Sequence, residues 1–246
     1  MGRAFFRFPT AMMKCDALWD GGPVFYYDTE RFAPTTDSFA LGYFARAKRG
    51  ERVCDLGCGT GLLGALLLAR EGSLALVNVE RDEAALDLAR RTFAANGWTA
   101  EFRPGDLRKS TALPAAGSVD LAVCNPPYFR SGSGASASDA ARRGAREEIA
   151  CTLEDICAAA ARILRWGGRF ALVHRPERLS DLCCALCAHG LEPKRLRFVS
   201  KAAEAAPSLL LLEARRGGGP GLAVEPPLVI GGAEWDAVYF RGAARS

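Results

Sequence analysis

The feature that most constrains this chain is the alternation, over residues 52 to 200, of short apolar runs with segments of helical period. Val53-Cys54-Asp55-Leu56, Leu74 to Glu80 and Val119-Asp120-Leu121-Ala122-Val123-Cys124 have the length and character of buried strands. Between the first and second of these, and after the second, lie segments whose apolar residues recur every three to four positions. Parallel strands need a crossover of a dozen or more residues, and a helix is the usual one. Near-continuous apolar strands also imply helices on both faces of the sheet. The pattern therefore predicts an α/β fold with strands at 52–56, 74–80, 100–104, 119–124 and 168–174, and helices at 61–71, 82–96, 152–165 and 176–189. Strands at 193–200 and 208–215 are separated only by the loop from Ala202 to Pro207, so they are expected to close the sheet as an antiparallel hairpin. The result is a mostly parallel, seven-stranded sheet.

The flanks are read more coarsely. Residues 1–50 comprise an aromatic-rich lead, a Gly21-Gly22-Pro23 turn, a strand at Val24 to Tyr27 and a helix from Asp37 to Arg46 capped by Thr35, Thr36 or Asp37. Gly217-Gly218-Gly219-Pro220 is expected to end the regular structure, leaving a tail with a short Leu228-Val229-Ile230 run. The expected organisation is a single domain over 1–246: a capping extension (1–50), a catalytic core (51–216) and a tail (217–246). A chain of 246 residues suits one large α/β domain.

Composition narrows the class. With 49% hydrophobic and 24% charged residues the chain reads as a soluble globular protein. No apolar run approaches the roughly 20 residues of a membrane helix, and the start lacks the apolar region of a signal peptide. Nine cysteines, an odd number scattered through predicted strands and helices, suggest buried thiols in a reducing cytoplasm. Cys183, Cys184, Cys187 and His189 lie within a helical pattern with no second ligand pair at zinc spacing, so no metal is expected. The net charge of +4 is mild. Arginine and lysine cluster at Arg142, Arg143 and Arg146, at Lys194, Arg195, Arg197 and Lys201, and at Arg215 and Arg216. Such groups can bind phosphates, or be ordinary surface charge.

Two motifs carry chemistry. Asp55-Leu56-Gly57-Cys58-Gly59-Thr60-Gly61 joins a strand to a helix, and glycines there let backbone approach a ligand. Glu80 ends the next strand, near the offset at which an acid meets ribose hydroxyls, and Asp106 follows the third strand. Asn125-Pro126-Pro127-Tyr128 ends the fourth. Neither proline can donate to a sheet ladder, so the chain must leave the sheet with an amide and an aromatic ring at its rim. A carboxamide oxygen beside a fixed carbonyl can accept both hydrogens of a planar amino group, and a tyrosine can stack on its ring. This reads as a site for methylating an exocyclic amine.

With these residues in view, Asp55 to Gly61 resembles the first motif of class I S-adenosylmethionine-dependent methyltransferases, and Asn125 to Tyr128 the fourth motif of their amino-methylating branch. Arg31-Phe32, Thr36 to Leu41, Asn125 to Phe129 and the arginine-rich loop are most similar to the bacterial tRNA1(Val) adenine-N6-methyltransferase family. The resemblance implies a Rossmann-like fold, S-adenosyl-L-methionine as cofactor and tRNA, through its anticodon stem-loop, as partner. It implies that Gly57, Gly59 and Gly61 cradle the methionine part, with Asp55 near its amino group and Thr36 or Asp37 closing over it. Glu80 would take the ribose, and Asp106, beside Leu107, the adenine. Asn125 Oδ1 and the Pro126 carbonyl would accept the amino hydrogens, Tyr128 and Phe129 would stack on the base, and Arg142, Arg143 and Arg146 would contact RNA. No general base is evident. His174 and His189 sit at a strand end and a helix end.

Other readings stay open on the motif alone. The same four residues serve enzymes that methylate a glutamine side-chain amide in proteins such as release factors. DNA adenine or small-molecule amine methylation and a non-catalytic cofactor- or RNA-binding module are further options.

Overall fold

The computed structural model describes residues 13–28, 34–126 and 151–240. It opens with an antiparallel hairpin, β1 (Met13–Ala17) and β2 (Val24–Asp28), and then α1 (Thr36–Phe44). Next come β3 (Arg52–Leu56), α2 (Leu62–Arg70), β4 (Ala75–Glu80), α3 (Glu83–Ala95), β5 (Glu101–Pro104) and β6 (Val119–Cys124). The second half holds α4 (Leu153–Ile163), β7 (Leu164–His174), α5 (Leu179–Ala188), β8 (Leu191–Ser200) and β9 (Leu209–Arg216). The main sheet runs β8-β9-β7-β6-β3-β4-β5, with β9 antiparallel to both its neighbours and the other pairs parallel.

The two-residue period of the strands explains the layers. Val53 faces α1, α2 and α3 in one apolar cluster, together with Leu121, Val123 and Phe93. Cys54 and Leu56 point the other way, into a cluster with Ile156, Ile163 and Leu186 of α4 and α5. The alternation of apolar runs and helical segments thus produces a sheet buried on both faces.

The sequence reading and the structure part at three places. β1 was not expected, because Met13-Lys14-Cys15-Asp16-Ala17 is exposed and lacks an apolar face. It exists by pairing with β2, whose other edge is satisfied by α3: Val24 N donates to Asn96 Oδ1 at 2.9 Å and Tyr26 N to buried Thr92 Oγ1 at 3.0 Å. β7 begins four residues before the expected start, with a register shift against β6 between Val119 and Leu121. Regular structure also continues past Gly217. The tail adds β10 (Ala223–Val224) and β11 (Leu228–Val229), both parallel to β8, and α6 (Trp235–Val238), so among the described residues the sheet has nine strands rather than seven. Two-residue strands are too short to show periodicity in a sequence, and the edge of β8 creates them.

A ladder of buried charges pins α1 to the sheet. Arg169, 8% exposed, donates to the Ala45 carbonyl (3.1 Å) at the end of α1, to Glu51 (2.7 and 2.9 Å) and to Glu213 (3.4 Å). Arg195 continues from Glu213 (3.0 Å) to Glu225 (2.9 Å) and to the Phe44 carbonyl (3.3 Å). Arg197 pairs with Glu234 at 2.5 and 2.7 Å. The helix C-terminus carries partial negative charge, which two guanidinium groups here satisfy. Arg195 and Arg197 are therefore committed inside the fold, which for these two decides against the phosphate-binding reading left open above; they are structural rather than loose surface charge. Among the described residues no helix is long and apolar enough to cross a membrane.

Candidate active site

The order β6-β3-β4 reverses the direction of winding at β3, and ligands bind at such switch points, outside the carboxyl ends of the strands. A cavity of about 580 Å³ opens there. Its lining includes Asp37 and Ser38 of α1, Asp55 near the end of β3 with Gly57 and Gly59 after it, Glu80 at the end of β4, Asp106 and Leu107 after β5, and Asn125 and Pro126 after β6.

The turn after β3 is shaped by its glycines. Gly57 and Gly59 have φ of +74° and +54°, a region side chains disfavour. A Cβ on Gly57 would meet nothing within 4 Å, so this backbone lies open. The turn is strapped to the neighbouring strand: Gly57 N and Cys58 N donate to the Val79 carbonyl at 2.9 and 3.1 Å. Gly59 N donates to Glu80 Oε2 at 2.9 Å, while Glu80 Oε1 accepts from Arg81 N (2.7 Å) and Asp82 N (2.9 Å). A carboxylate has about four acceptor positions, so Glu80 retains capacity for a hydroxyl. Gly61 does not line the cavity. A Cβ there would come 2.9 Å from that of Ala89, so this glycine lets α2 start close against α3.

The three carboxylates differ in state. Asp55 is 1% exposed and its Oδ2 has no hydrogen-bond partner. Burial pushes its carboxyl up to about 7, Glu80's charge adds to this, and a hydrogen bond from the Gly64 backbone opposes it. An unsatisfied buried anion favours a cationic ligand group. Asp106 is the reverse case: the Arg108 guanidinium, hydrogen-bonded at 2.5 to 3.1 Å, holds it down at about 2. That arginine escaped the sequence reading.

A stability prediction follows from Asp55. Its folded pKa lies above the ordinary value of 3.8, so its favourable contribution is complete below about pH 4 and is lost as pH rises to about 7. About three units correspond to on the order of 4 kcal/mol. Asp55→Asn is expected to raise the melting temperature of the ligand-free protein at pH 8 and to flatten the difference between pH 4 and 7. Equal pH profiles for the two proteins would refute the assignment.

At the end of β6, Asn125 Nδ2 donates to Ser38 Oγ at 2.9 Å. Ser38 is 6% exposed and sits in the first turn of α1. This contact fixes the plane of the carboxamide and hence the side on which Oδ1 lies. Ser38 was missed in the sequence, because nothing local to residue 38 announces a partner 87 positions away. Thr36, a candidate for the cofactor site, lines a smaller adjacent cavity instead, and its hydroxyl lies 3.4 Å from that of Tyr239. Tyr128, Phe129, Arg142, Arg143 and Arg146 lie outside the described residues. His174 Nδ1 accepts from Arg175 N at 2.8 Å, burial lowers its pKa, and His189 meets Glu154 at 3.0 Å. Among the described residues no group of three or more His, Cys, Asp or Glu is arranged to hold a metal ion.

The geometry has counterparts in known proteins. The family model described as methyltransferase small domain matches residues 39–180. The tRNA1(Val) (adenine(37)-N6)-methyltransferase of Tolumonas auensis is 32% identical over 191 residues, 76% of this chain and 79% of its own. The protein of the same name from Dickeya chrysanthemi is 33% identical over 187 residues, 74% of this chain and 72% of its own. Among solved structures, a predicted O-methyltransferase of Agrobacterium tumefaciens superposes with a TM-score of 0.65 over 79% of this chain and 88% of that one, at 21% identity, a likeness of fold.

Proposed function

Since the chain belongs to the tRNA1(Val) (adenine(37)-N6)-methyltransferase family, built on the methyltransferase small domain, we propose that it methylates N6 of the adenosine 3′-adjacent to the anticodon of that tRNA, in the cytoplasm. The protein is an S-adenosyl-L-methionine-dependent methyltransferase. The observation that carries the reading is a carboxamide at the rim of β6, held by Ser38 in the same cavity as Asp55, Glu80 and Asp106.

The residues present fit the cofactor. The partnerless Asp55 Oδ2 suits its ammonium group, and the open backbone at Gly57 suits close approach of its methionine part. Glu80 would hold the ribose hydroxyls. Asp106 and Leu107 would hold the adenine, with the Arg108 ion pair yielding part of its hold on Asp106. When bound, the cofactor supplies a methyl group already activated on a sulfonium sulfur.

The chain's own task is to present the amine. An aryl amine is a weak nucleophile because its lone pair is delocalised into the ring. Asn125 Oδ1 and the Pro126 carbonyl would accept its two hydrogens, which favours a pyramidal nitrogen and localises the lone pair. This is stabilisation aimed at the transition state, combined with positioning. The base has to stand out of any stack, and an anticodon loop offers an unpaired one. Burial raises the lining thiols Cys58 and Cys124 well above the ordinary thiol value, and Cys151 to about 11, which disfavours the thiolate a nucleophile would need. The glutamine-amide and non-catalytic readings are not favoured, given the relatives' activity.

Ser38 is a positioning residue in this scheme. Ser38→Ala is expected to lower kcat about tenfold, the worth of one hydrogen bond, with the cofactor Kd unchanged and partial recovery in Ser38→Thr. An unchanged kcat removes Ser38 from the mechanism. The reading as a whole is tested by nucleoside mass spectrometry of individual tRNAs treated with the protein and labelled cofactor. Label in N6-methyladenosine of tRNA1(Val) is expected; label in protein glutamine, or in no substrate, overturns it.

A further inference from the structure

Beside the cofactor cavity lies a second one of about 240 Å³, and Thr35 lines both. Its walls carry four aromatic residues, Phe25 and Tyr27 of β2, Phe39 of α1 and Tyr239 after α6, with Asp16 of β1 and Thr36 at its border. We propose that this cavity is a subsite for a nucleobase adjacent to the methylated adenosine. The inference rests on the RNA methylation reading above and extends it to how the substrate is gripped.

Position supports this occupant. Thr35, Thr36 and Phe39 face the second cavity, while Ser38, on the same turn of α1, holds Asn125. Ser38 and Phe39 are consecutive on α1, so the reacting edge and the aromatic walls lie within one helix diameter, about 10–12 Å, of each other. That is the reach of a neighbouring nucleotide splayed from a loop.

Chemistry supports it as well. Single-stranded RNA is held chiefly by aromatic faces that stack on its bases, because every base has a π-face. Tyr27 and Tyr239 are only partly buried, so each keeps surface exposed. Tyr239 is backed by Phe39, ring centroids 4.4 Å apart and nearly parallel. The Tyr27 hydroxyl donates to Asp16 Oδ2 at 2.5 Å, which fixes the ring and brings a carboxylate to the border. That carboxylate repels a phosphate and can accept from a base amino group, so the cavity takes the base and not the backbone.

The origin of the walls points the same way. The residues from the hairpin, from 34–36 and from the tail lie outside the stretch 39–180 matched by the family domain. The hairpin and tail residues among them line this cavity and not the cofactor cavity, as recognition of a particular substrate rather than of the cofactor would have it.

The test uses the full chain, saturating cofactor and an anticodon stem-loop RNA, intact or with an abasic nucleotide 5′ or 3′ of the reacting adenosine. One abasic RNA is expected to show a KM raised about 5- to 100-fold with a smaller change in kcat, the range for losing a base–aromatic contact. Tyr27→Ala should raise the KM of intact RNA to a similar degree and leave the abasic RNA no worse. Calorimetry of cofactor binding serves as the folding control for that variant. Intact and both abasic RNAs with equal KM on the unaltered protein would overturn the subsite, whatever the variant does. No methyl transfer even to intact RNA would instead remove the reaction reading, and the subsite with it.

Discussion

Asn125→Ala is expected to lower kcat for methyl transfer by about 10²–10³-fold, the usual cost of deleting one preorganised hydrogen-bonding group that acts on the reacting centre. Cofactor affinity should hardly change. The groups proposed to meet the cofactor, Asp55, Glu80 and Asp106, lie at the carboxyl ends of β3, β4 and β5, whereas Asn125 follows β6. Fold stability should change little too, because the Asn125 side chain meets Ser38 at the rim of a cavity and not in packed core. Calorimetry with the cofactor and single-turnover transfer to RNA separate these quantities. Loss of transfer together with loss of binding would make Asn125 a cofactor residue. Turnover within a few-fold of the unaltered protein would deny it a role. Asn125→Asp is the sharper companion: it keeps an acceptor but replaces the Nδ2 donor to Ser38 with a second, charged acceptor, so it separates the need for an acceptor from the need for a neutral amide.

Arg169→Ala is expected to cost about 3–5 kcal/mol of stability, because it strands Glu51 and Glu213 with one partner removed from a buried network. For a chain of this size that is on the order of 10 °C in melting temperature. The exposed pair Arg90–Asp87, at 2.6 Å, has a shorter contact than Arg169–Glu51 yet should be worth under about 1 kcal/mol, because water screens it. The same contrast predicts that the Arg169 contribution survives high salt while the surface pair's does not. Arg169 also holds the carbonyl end of α1, whose opposite end carries Asp37 and Ser38 into the active cavity. A drop in kcat beyond that explained by the unfolded fraction is therefore expected. Urea unfolding in low and high salt checks the first claim, and a loss below about 1 kcal/mol would show that the ladder is dispensable.

Both variants bear on how much could be read from the chain. Asp55, the glycines and Asn125 with Pro126 are legible because local backbone marks their positions: a turn needing positive φ, a strand end that a proline takes out of the sheet. The site elements on β3 to β6 thus fall where the sequence puts them. Ser38 and Arg108 are invisible by the same logic, since each matters through a side-chain contact rather than a backbone pattern. Arg195 and Arg197 show how an open reading is decided. A run of basic residues on a strand looks like a binding patch until the partners Glu213, Glu225 and Glu234 arrive from other elements.

The sequence by itself determined the α/β layers, the order of the core strands, the cofactor-type acids at successive strand ends and the amine-methylating motif, because alternation, turn chemistry and strand-end position are local. Only the tertiary structure decided that α1 is clamped at one end by buried arginines and grips Asn125 at the other. It also decided that the tail joins the sheet and that hairpin and tail together wall an aromatic cavity beside the site. These depend on contacts between residues from 28 to 203 positions apart, and no local preference encodes which distant side chain will satisfy a buried charge or complete a wall.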